Sequence, residues 1–464
     1  MNRLVVGVLS AGLLTAGMCA SAEPFRDGDC VVFLGDSITH GGHFHEYLDY
    51  FYATRFPDRT VEMWNSGWSG SMASYQRGEG IFEEDVVRLK PTVVSTMYGM
   101  NDCWLGHWPR TGETDRNRKL RAVAQEKYAE SMTNLFARIA ATGARQVVMI
   151  PSPYDEWSLE DGRPSDSLNT GVAQCADQMR GWARRYGFPS VDLQKVLTDL
   201  IVAQTAKNPE YRLYTHEGGV GERIHPGPAG HLVIAYHYLK MQGADGRMEA
   251  VTHDAGGRPS AKFTALEKSL PFPLDSNELR EGASLVPFGE DFNREILRVA
   301  NLAEGRYFVL IDGESVGDWT AGELAEGVNL ADNPRTPQFR QASCAAALNA
   351  RNWSWQGRLR TLLVGKRKGR VCELDEKGLA ERRDLEARIA AGRAEFRAAV
   401  KPVPHTFEVI PAKTVYVNGF ESPTVDLCEF NLGKRDESAY TPETICTTEK
   451  ERHSGRRAGD RRED

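Results

Sequence analysis

Between Cys30 and about residue 242, short unbroken apolar runs alternate with longer stretches whose apolar residues recur at helical spacing. Cys30-Val31-Val32-Phe33-Leu34 is a run of the kind buried on both faces of a sheet, and Gly35 ends it. Val61 to Trp64, Thr92 to Tyr98, Gln146 to Ile150 and Ser190 to Leu193 read as further strands. Between them, His45 to Phe56 sets Tyr47, Leu48, Phe51 and Tyr52 at helical spacing. Helical patterns also run from about Arg118 to Ala141, Ser167 to Tyr186, Gln194 to Lys207 and Pro228 to Met241. Strands alternating with helices of this length predict βαβ units and an α/β fold, a parallel sheet with helices on both faces. Reactive residues in such sheets sit in loops at the carboxyl ends of the strands.

The pattern changes after about residue 245. Residues 246–275 are polar and rich in Gly and Pro (Asp254-Ala255-Gly256-Gly257-Arg258-Pro259), which reads as a linker. A mixed α+β C-terminal region is expected over 276–432. In it Glu295 to Val299 and Tyr307 to Ile311 form a β-hairpin pair. Pro337 to about Val400 forms two antiparallel helices broken near Gly365 to Gly369, and Thr406 to Ile410 returns to strand character. Residues 433–464 are nearly all polar and cannot bury enough apolar surface to order themselves, so a disordered tail is expected.

The first residues follow neither pattern. A basic start (Met1 to Arg3), an apolar stretch (Leu4 to Met18) and Ala20-Ser21-Ala22 make the layout of a secretory signal peptide over 1–22, cleaved after Ala22. The expected mature chain is secreted or periplasmic, with the first domain over 23–245. No later segment reaches the ~20 consecutive apolar residues of a spanning helix, so no stable membrane insertion is expected. Of the eight cysteines, loss of Cys19 leaves seven, an odd number with no CxxC and no zinc-type spacing, so no metal is implied. A formal net charge of −7 gives no electrostatic reason to bind nucleic acid.

Candidate chemistry lies just past the predicted strands. Gly35-Asp36-Ser37-Ile38-Thr39 follows the first, where a serine hydroxyl projects from the end of the sheet and its N–H can face an oxyanion. A Gly-Asp-Ser turn is by itself usually only a turn. Asn65-Ser66-Gly67-Trp68-Ser69-Gly70 follows the second strand, and Gly99-Met100-Asn101-Asp102 the third, where an Asn amide is a ready oxyanion donor. Glu222-Arg223-Ile224-His225-Pro226 precedes the last helix of this stretch.

In this order, the four islands resemble the sequence blocks of the GDSL/SGNH hydrolases over residues 30 to about 242. The resemblance implies a three-layer αβα, flavodoxin-like sheet and an enzyme, a serine carboxylic-ester hydrolase. It implies Ser37 as nucleophile, His225 as its base, and an oxyanion hole of the Ser37 and Gly70 N–H groups with the Asn101 amide. The family usually has Asp three residues before the histidine, where this chain has Glu222. Glu222 is expected to orient His225, the alternative being a Ser–His dyad helped by a backbone carbonyl. No cofactor is implied, since serine acyl transfer needs none.

Other residues have structural roles open to them beside chemical ones. Asp36 and Asp102 are expected to hold their turns by bonding local backbone, and His231 to be structural. His40, His43 and His45 with Glu46 suit a helix start at the pocket rim better than a metal site. Trp68, Trp104, Trp108 and Trp157 fall near strand ends and are candidates to stack on sugar rings, against simple loop packing. The loop after Asn101 is polar and charged, unlike a lipase rim, which favours short acyl groups. The expectation is an exported esterase removing acetyl-type groups, on carbohydrates, from a small-molecule or glycan ester. Its rivals are a lysophospholipase or thioesterase on longer chains, and a catalytically silent glycan-binding protein.

Overall fold

The computed structural model describes residues 23–105, 114–157, 168–214, 223–246, 248–364, 371–417 and 420–424. The expected signal peptide, the expected tail and Glu222 and Trp108 therefore lie outside the described residues.

The first half is built as its pattern requires. The apolar run forms strand β1, Cys30–Gly35, followed by a short helix α1, Ser37–Gly41, and by α2, Phe44–Arg55. Strand β2, Glu62–Asn65, helix α3, Ile81–Asp85, and strand β3, Val93–Met97, come next. They are followed by α4, Asp115–Ala141, β4, Arg145–Ile150, α5, Leu168–Tyr186, and β5, Ser190–Asp192. Helices α6, Leu193–Lys207, and α7, Pro228–Gln242, complete this part. The strands make one five-stranded sheet in the order β2-β1-β3-β4-β5, every pair parallel. Helices flank it in a three-layer α/β arrangement: α2 and α7 pack together beside Phe33 of β1, through Phe44 and Tyr238. Helices α4 and α5 pair through Tyr128, Phe136 and Trp182. The chain reverses its direction of winding between β1 and β3, and at such a switch point the loops diverge and leave a crevice.

The second half is not tethered by a linker. Residues 246–275 contain strand β6, Val251–Asp254, and strand β7, Ala261–Ala265. Both alternate inward and outward residues along their length, so their polar faces disguised them. Leu270, Phe272 and Leu274 of the same stretch are buried in the first core. Next come α8, Asn277–Leu285, α9, Phe288–Phe292, and strands β8, Ile296–Ala300, β9, Arg306–Ile311, and β10, Glu314–Thr320. Helix α10, Ala321–Glu326, and the short β11, Val328–Asn329, lead to the long helices α11, Pro337–Val364, and α12, Glu376–Ala399. Strands β12, His405–Pro411, β13, Lys413–Val417, and β14, Phe420–Thr424, close the described chain.

Strands β10-β9-β12-β7 form an antiparallel sheet, and β11-β8-β6 a mixed one, with β11 antiparallel and β6 parallel to β8. Val299, Val309, Ile311, Phe407 and Val409 lie in the core they share. The two runs expected to pair, 295–299 and 307–311, are thus in different sheets. The hairpin is β9 with β10, turning on Asp312 and Gly313, whose φ values of 51 and 83 suit a two-residue type I′ turn. Helices α11 and α12 run antiparallel, Arg351 meeting Glu395 and Arg358 meeting Glu381. They lie against α2 and β2. Tyr50 donates to the Ala342 carbonyl at 2.9 Å, and the Trp353 indole donates to Asp49 at 3.0 Å.

Candidate active site

The end of β1 leaves no room for a side chain at Gly35: a Cβ there would lie 2.2 Å from Thr39 Oγ1 and 2.7 Å from the Met97 carbonyl. The next residue, Asp36, accepts from the Ile38 N–H at 3.0 Å and caps α1, as expected of it. Burial raises its carboxyl to about 6, against the opposing pull of that N–H and of His225. Ser37 opens α1. Its Oγ is 2.8 Å from His225 Nε2, across 188 residues of sequence. His225 stands just ahead of α7, in a segment pinned by the Gly227 N–H to Leu213 carbonyl bond at 3.1 Å. With Nε2 facing a hydroxyl, the imidazole is placed to take that proton.

The loop after β2 is tied to both neighbours. Trp68 N–H donates to the Gly35 carbonyl at 3.0 Å, Ser71 Oγ to the same carbonyl at 3.1 Å, and His40 Nδ1 pairs with Ser69 Oγ at 2.9 Å. Asn65 spans the loop, donating to the His40 carbonyl at 2.8 Å and accepting from the Gly67 N–H at 2.9 Å. Gly70 has φ of 73, with nothing within 4 Å of where a Cβ would stand. Space does not demand glycine there, but the left-handed backbone favours it strongly. From the β3 loop, Asn101 Nδ2 donates to the Ser71 carbonyl at 3.0 Å, which spends one of its two hydrogens. Ser37, Gly70, Asn101 and His225 thus stand on four loops that hydrogen bonds gather at one end of the sheet.

Asp102 is buried, and its Oδ1 accepts from the Ala73 N–H at 2.9 Å, so it too holds a turn. Burial, and secondarily the Asp36 carboxyl, raise it to about 7 from 3.8. Between pH 4 and 7 the folded chain therefore binds a proton at Asp102 that the unfolded chain does not. Its contribution to stability is present at low pH and is lost as pH rises through about 7. Asp102→Asn, which keeps the acceptor, is expected to gain thermal stability relative to wild type as pH rises from 4 to 8. Melting temperatures of the two proteins across that range check it, and a gap that does not change with pH would overturn it.

Among the described residues, the aromatic candidates Trp68, Trp104 and Trp157 each pack against other parts of the chain. Trp104 is 1% exposed, with the Arg121 guanidinium 5.2 Å from its ring, so it packs the loop from beneath and has no face for a ligand. Loop position alone does not tell an inward-facing tryptophan from an outward one. Trp68 packs on Tyr75 at 5.3 Å and beside Leu359 and Leu363 of α11. Trp157 is half-buried against the first core. The histidines near α1 also part company. His40 pairs with Ser69, His43 with Glu46 at 3.3 Å, and His45 bonds the Thr39 carbonyl at 3.0 Å while stacking on Trp353. Burial lowers His45 to about 3, so it is neutral at any working pH. His231 is buried and stacks on Phe44. Among the described residues no three His, Cys, Asp or Glu side chains stand together as a metal site needs. Among them, too, no helix is long and apolar enough to cross a membrane.

Sequence reasoning missed one participant. Arg360 of α11 bonds the carbonyls of Ser66 and Gly67 in the β2 loop, across nearly three hundred residues of sequence. One arginine in a charged helix gives no sign of such a partner.

Residues 33–233 match the GDSL-like Lipase/Acylhydrolase family. An acetylxylan esterase of Geobacillus stearothermophilus is 24% identical over 233 residues, covering 47% of this chain and 94% of that protein. Among solved structures, BT4096, a gut microbial diltiazem-metabolizing enzyme, is similar with a TM-score of 0.73 at 26% identity. That likeness covers 85% of this chain and 100% of the other, and so extends well into the C-terminal region.

Proposed function

Since residues 33–233 are a GDSL-like lipase/acylhydrolase domain and the chain a hydrolytic esterase, we propose that it removes short acyl groups, acetate foremost, from carbohydrate esters through an acyl-enzyme on Ser37. The observation that carries this reading is the 2.8 Å approach of Ser37 Oγ to His225 Nε2. The acetylxylan esterase relative supports the acetyl and carbohydrate parts.

In this mechanism Ser37 Oγ attacks the ester carbonyl carbon while His225 Nε2 takes the hydroxyl proton. The carbonyl oxygen becomes an oxyanion facing the N–H groups of Ser37 and Gly70 and the second Asn101 amide hydrogen. Collapse of the tetrahedral intermediate breaks the bond to the leaving alcohol, which departs with the proton from His225. A water then attacks the acyl-enzyme with His225 again as base, releasing the acid and restoring Ser37. Glu222, three residues before His225, is proposed to hold the imidazole in the tautomer whose Nε2 accepts. Asn101→Ala is expected to lower kcat by about 10²–10³-fold with little change in KM, because the lost donor serves the transition state. Steady-state kinetics on p-nitrophenyl acetate measure this.

Substrate class is tested with nitrophenyl esters from acetyl to dodecanoyl, beside acetylated xylo-oligosaccharides and diltiazem. A maximum at acetyl with release of acetate from the oligosaccharides supports the reading. A maximum at long chains would move it to a lysophospholipase or thioesterase. We also propose export, on the pattern of residues 1–22. Amino-terminal sequencing of protein recovered outside the cytoplasm should begin at Glu23, and an intact Met1 there would refute cleavage.

A further inference from the structure

We propose that Arg360, contributed by the C-terminal region, is a positioning residue for the oxyanion loop. The inference rests on the reading that Gly70 and Ser37 share an oxyanion. Arg360 Nε donates to the Gly67 carbonyl at 2.8 Å and Nη2 to the Ser66 carbonyl at 2.8 Å. The outer edge of the guanidinium holds Asp85 with two bonds, at 2.5 Å and 3.1 Å. The Arg360 side chain is 5% exposed and that of Asp85 0%, so water cannot replace these bonds without entering the core. Asp85 is itself held in register, since its carbonyl accepts from Ser66 Oγ at 2.7 Å and its carboxylate from Gln76 at 3.1 Å.

The geometry shows what the arginine controls. In a trans peptide the carbonyl and the following N–H point in opposite directions. The peptide between Gly67 and Trp68 sends its carbonyl to Arg360 and its N–H to the Gly35 carbonyl, at the end of the nucleophile's own strand. The preceding peptide sends its carbonyl to Arg360 and its N–H to Asn65 Oδ1. Two successive peptide planes, three and four residues ahead of Gly70, are thus held from both sides. The loop is also wedged against α1: a Cβ on Gly67 would meet the His40 nitrogen at 2.4 Å. Arg360 is the wall opposite α1, so its removal frees the loop to move away from Ser37. A planar fork with five donors meets four acceptor oxygens here, two carbonyls and both carboxylate oxygens of Asp85, and an ammonium group on a flexible stem cannot.

The consequence is that the hydrolase half depends on α11 for the geometry of its oxyanion loop, although that helix lies outside the family match of 33–233. The test uses the full chain with Arg360→Lys, Arg360→Ala and the double variant Arg360→Ala/Asp85→Ala, which leaves no unpaired buried carboxylate. For each folded variant, kcat and KM on p-nitrophenyl acetate are measured, with Ser37→Ala as control. The expected result is a fall in kcat of about 10–100-fold with KM within about threefold, as slight misplacement of a catalytic donor produces. Methylguanidinium is expected to restore part of kcat to Arg360→Ala and none to Ser37→Ala. Arg360→Lys keeps a charge beside Asp85, and if it or the double variant turns over within twofold of wild type the proposal is overturned, whatever its melting temperature. If instead Ser37→Ala keeps wild-type turnover, the reading of the site itself fails, and the two failures are told apart.

Discussion

Ser37→Ala is expected to lower kcat on p-nitrophenyl acetate by about 10⁵-fold or more, to the background left by binding and oxyanion donors alone. The substitution removes one oxygen. The loops around it are held by bonds that do not involve Ser37 Oγ: the Ile38 N–H to Asp36 Oδ1, the Trp68 N–H to the Gly35 carbonyl, and Ser71 Oγ to the same carbonyl. Loss of turnover in a variant with unchanged near-ultraviolet circular dichroism therefore reports the nucleophile and not the fold. His225→Ala should cost nearly as much, and the double variant little more than either, because nucleophile and base act as one unit. Should wild type and Ser37→Ala release nitrophenol at the same rate, the esterase chemistry does not run through this serine. A glycan-binding role for the crevice would then have to be tested directly.

How legible the site was depended on how local its determinants are. A nucleophile at the end of a buried strand is announced by the strand, by the glycine that ends it and by the short aspartate that caps the next turn, all within Cys30 to Thr39. The positions of the strands were open to the same kind of reading, since the β-runs of the first half are short and bounded. What could not be read was set by partners distant in sequence. Trp104 is turned inward, with the Arg121 guanidinium 5.2 Å from its ring, and Arg360 meets Gly67 from a helix far along the chain. Strands β6 and β7 escaped notice because one face of each is polar, and the Gly-Gly-Arg-Pro turn between them has the composition of a linker. The rise of the Asp102 carboxyl to about 7 is also a product of burial, which composition does not record.

A fragment ending at residue 245 is expected to be insoluble, or soluble only as a loosely packed state that binds hydrophobic dyes. The first hydrophobic core is continuous across that boundary, with Phe272, Phe288, Phe292, Leu348, Trp353 and Phe396 belonging to it. Truncation would bare the face of α2 that carries Tyr50 and Phe51, whose rings meet Phe272 at 5.2 Å and Phe292 at 5.4 Å. It would leave His45 without Trp353 across its ring. Arg55, buried, would lose the carbonyls of Gly246, Leu270 and Phe292 that receive its guanidinium. Each large apolar side chain returned to water costs about 1.5–3 kcal/mol, so four or five reach the 5–15 kcal/mol that typically separates a folded domain from its unfolded chain. The acetylxylan esterase relative is covered over 94% of its length by under half of this chain, so that relative has no counterpart of this C-terminal region. The need arises from α2, whose outward positions carry aromatic residues and a buried arginine where a free-standing domain would carry solvated ones. Size-exclusion chromatography and near-ultraviolet circular dichroism of the fragment decide it. A monomer with native aromatic signal, cooperative melting and turnover would show that α2 tolerates water and that α11 is dispensable for the oxyanion loop as well.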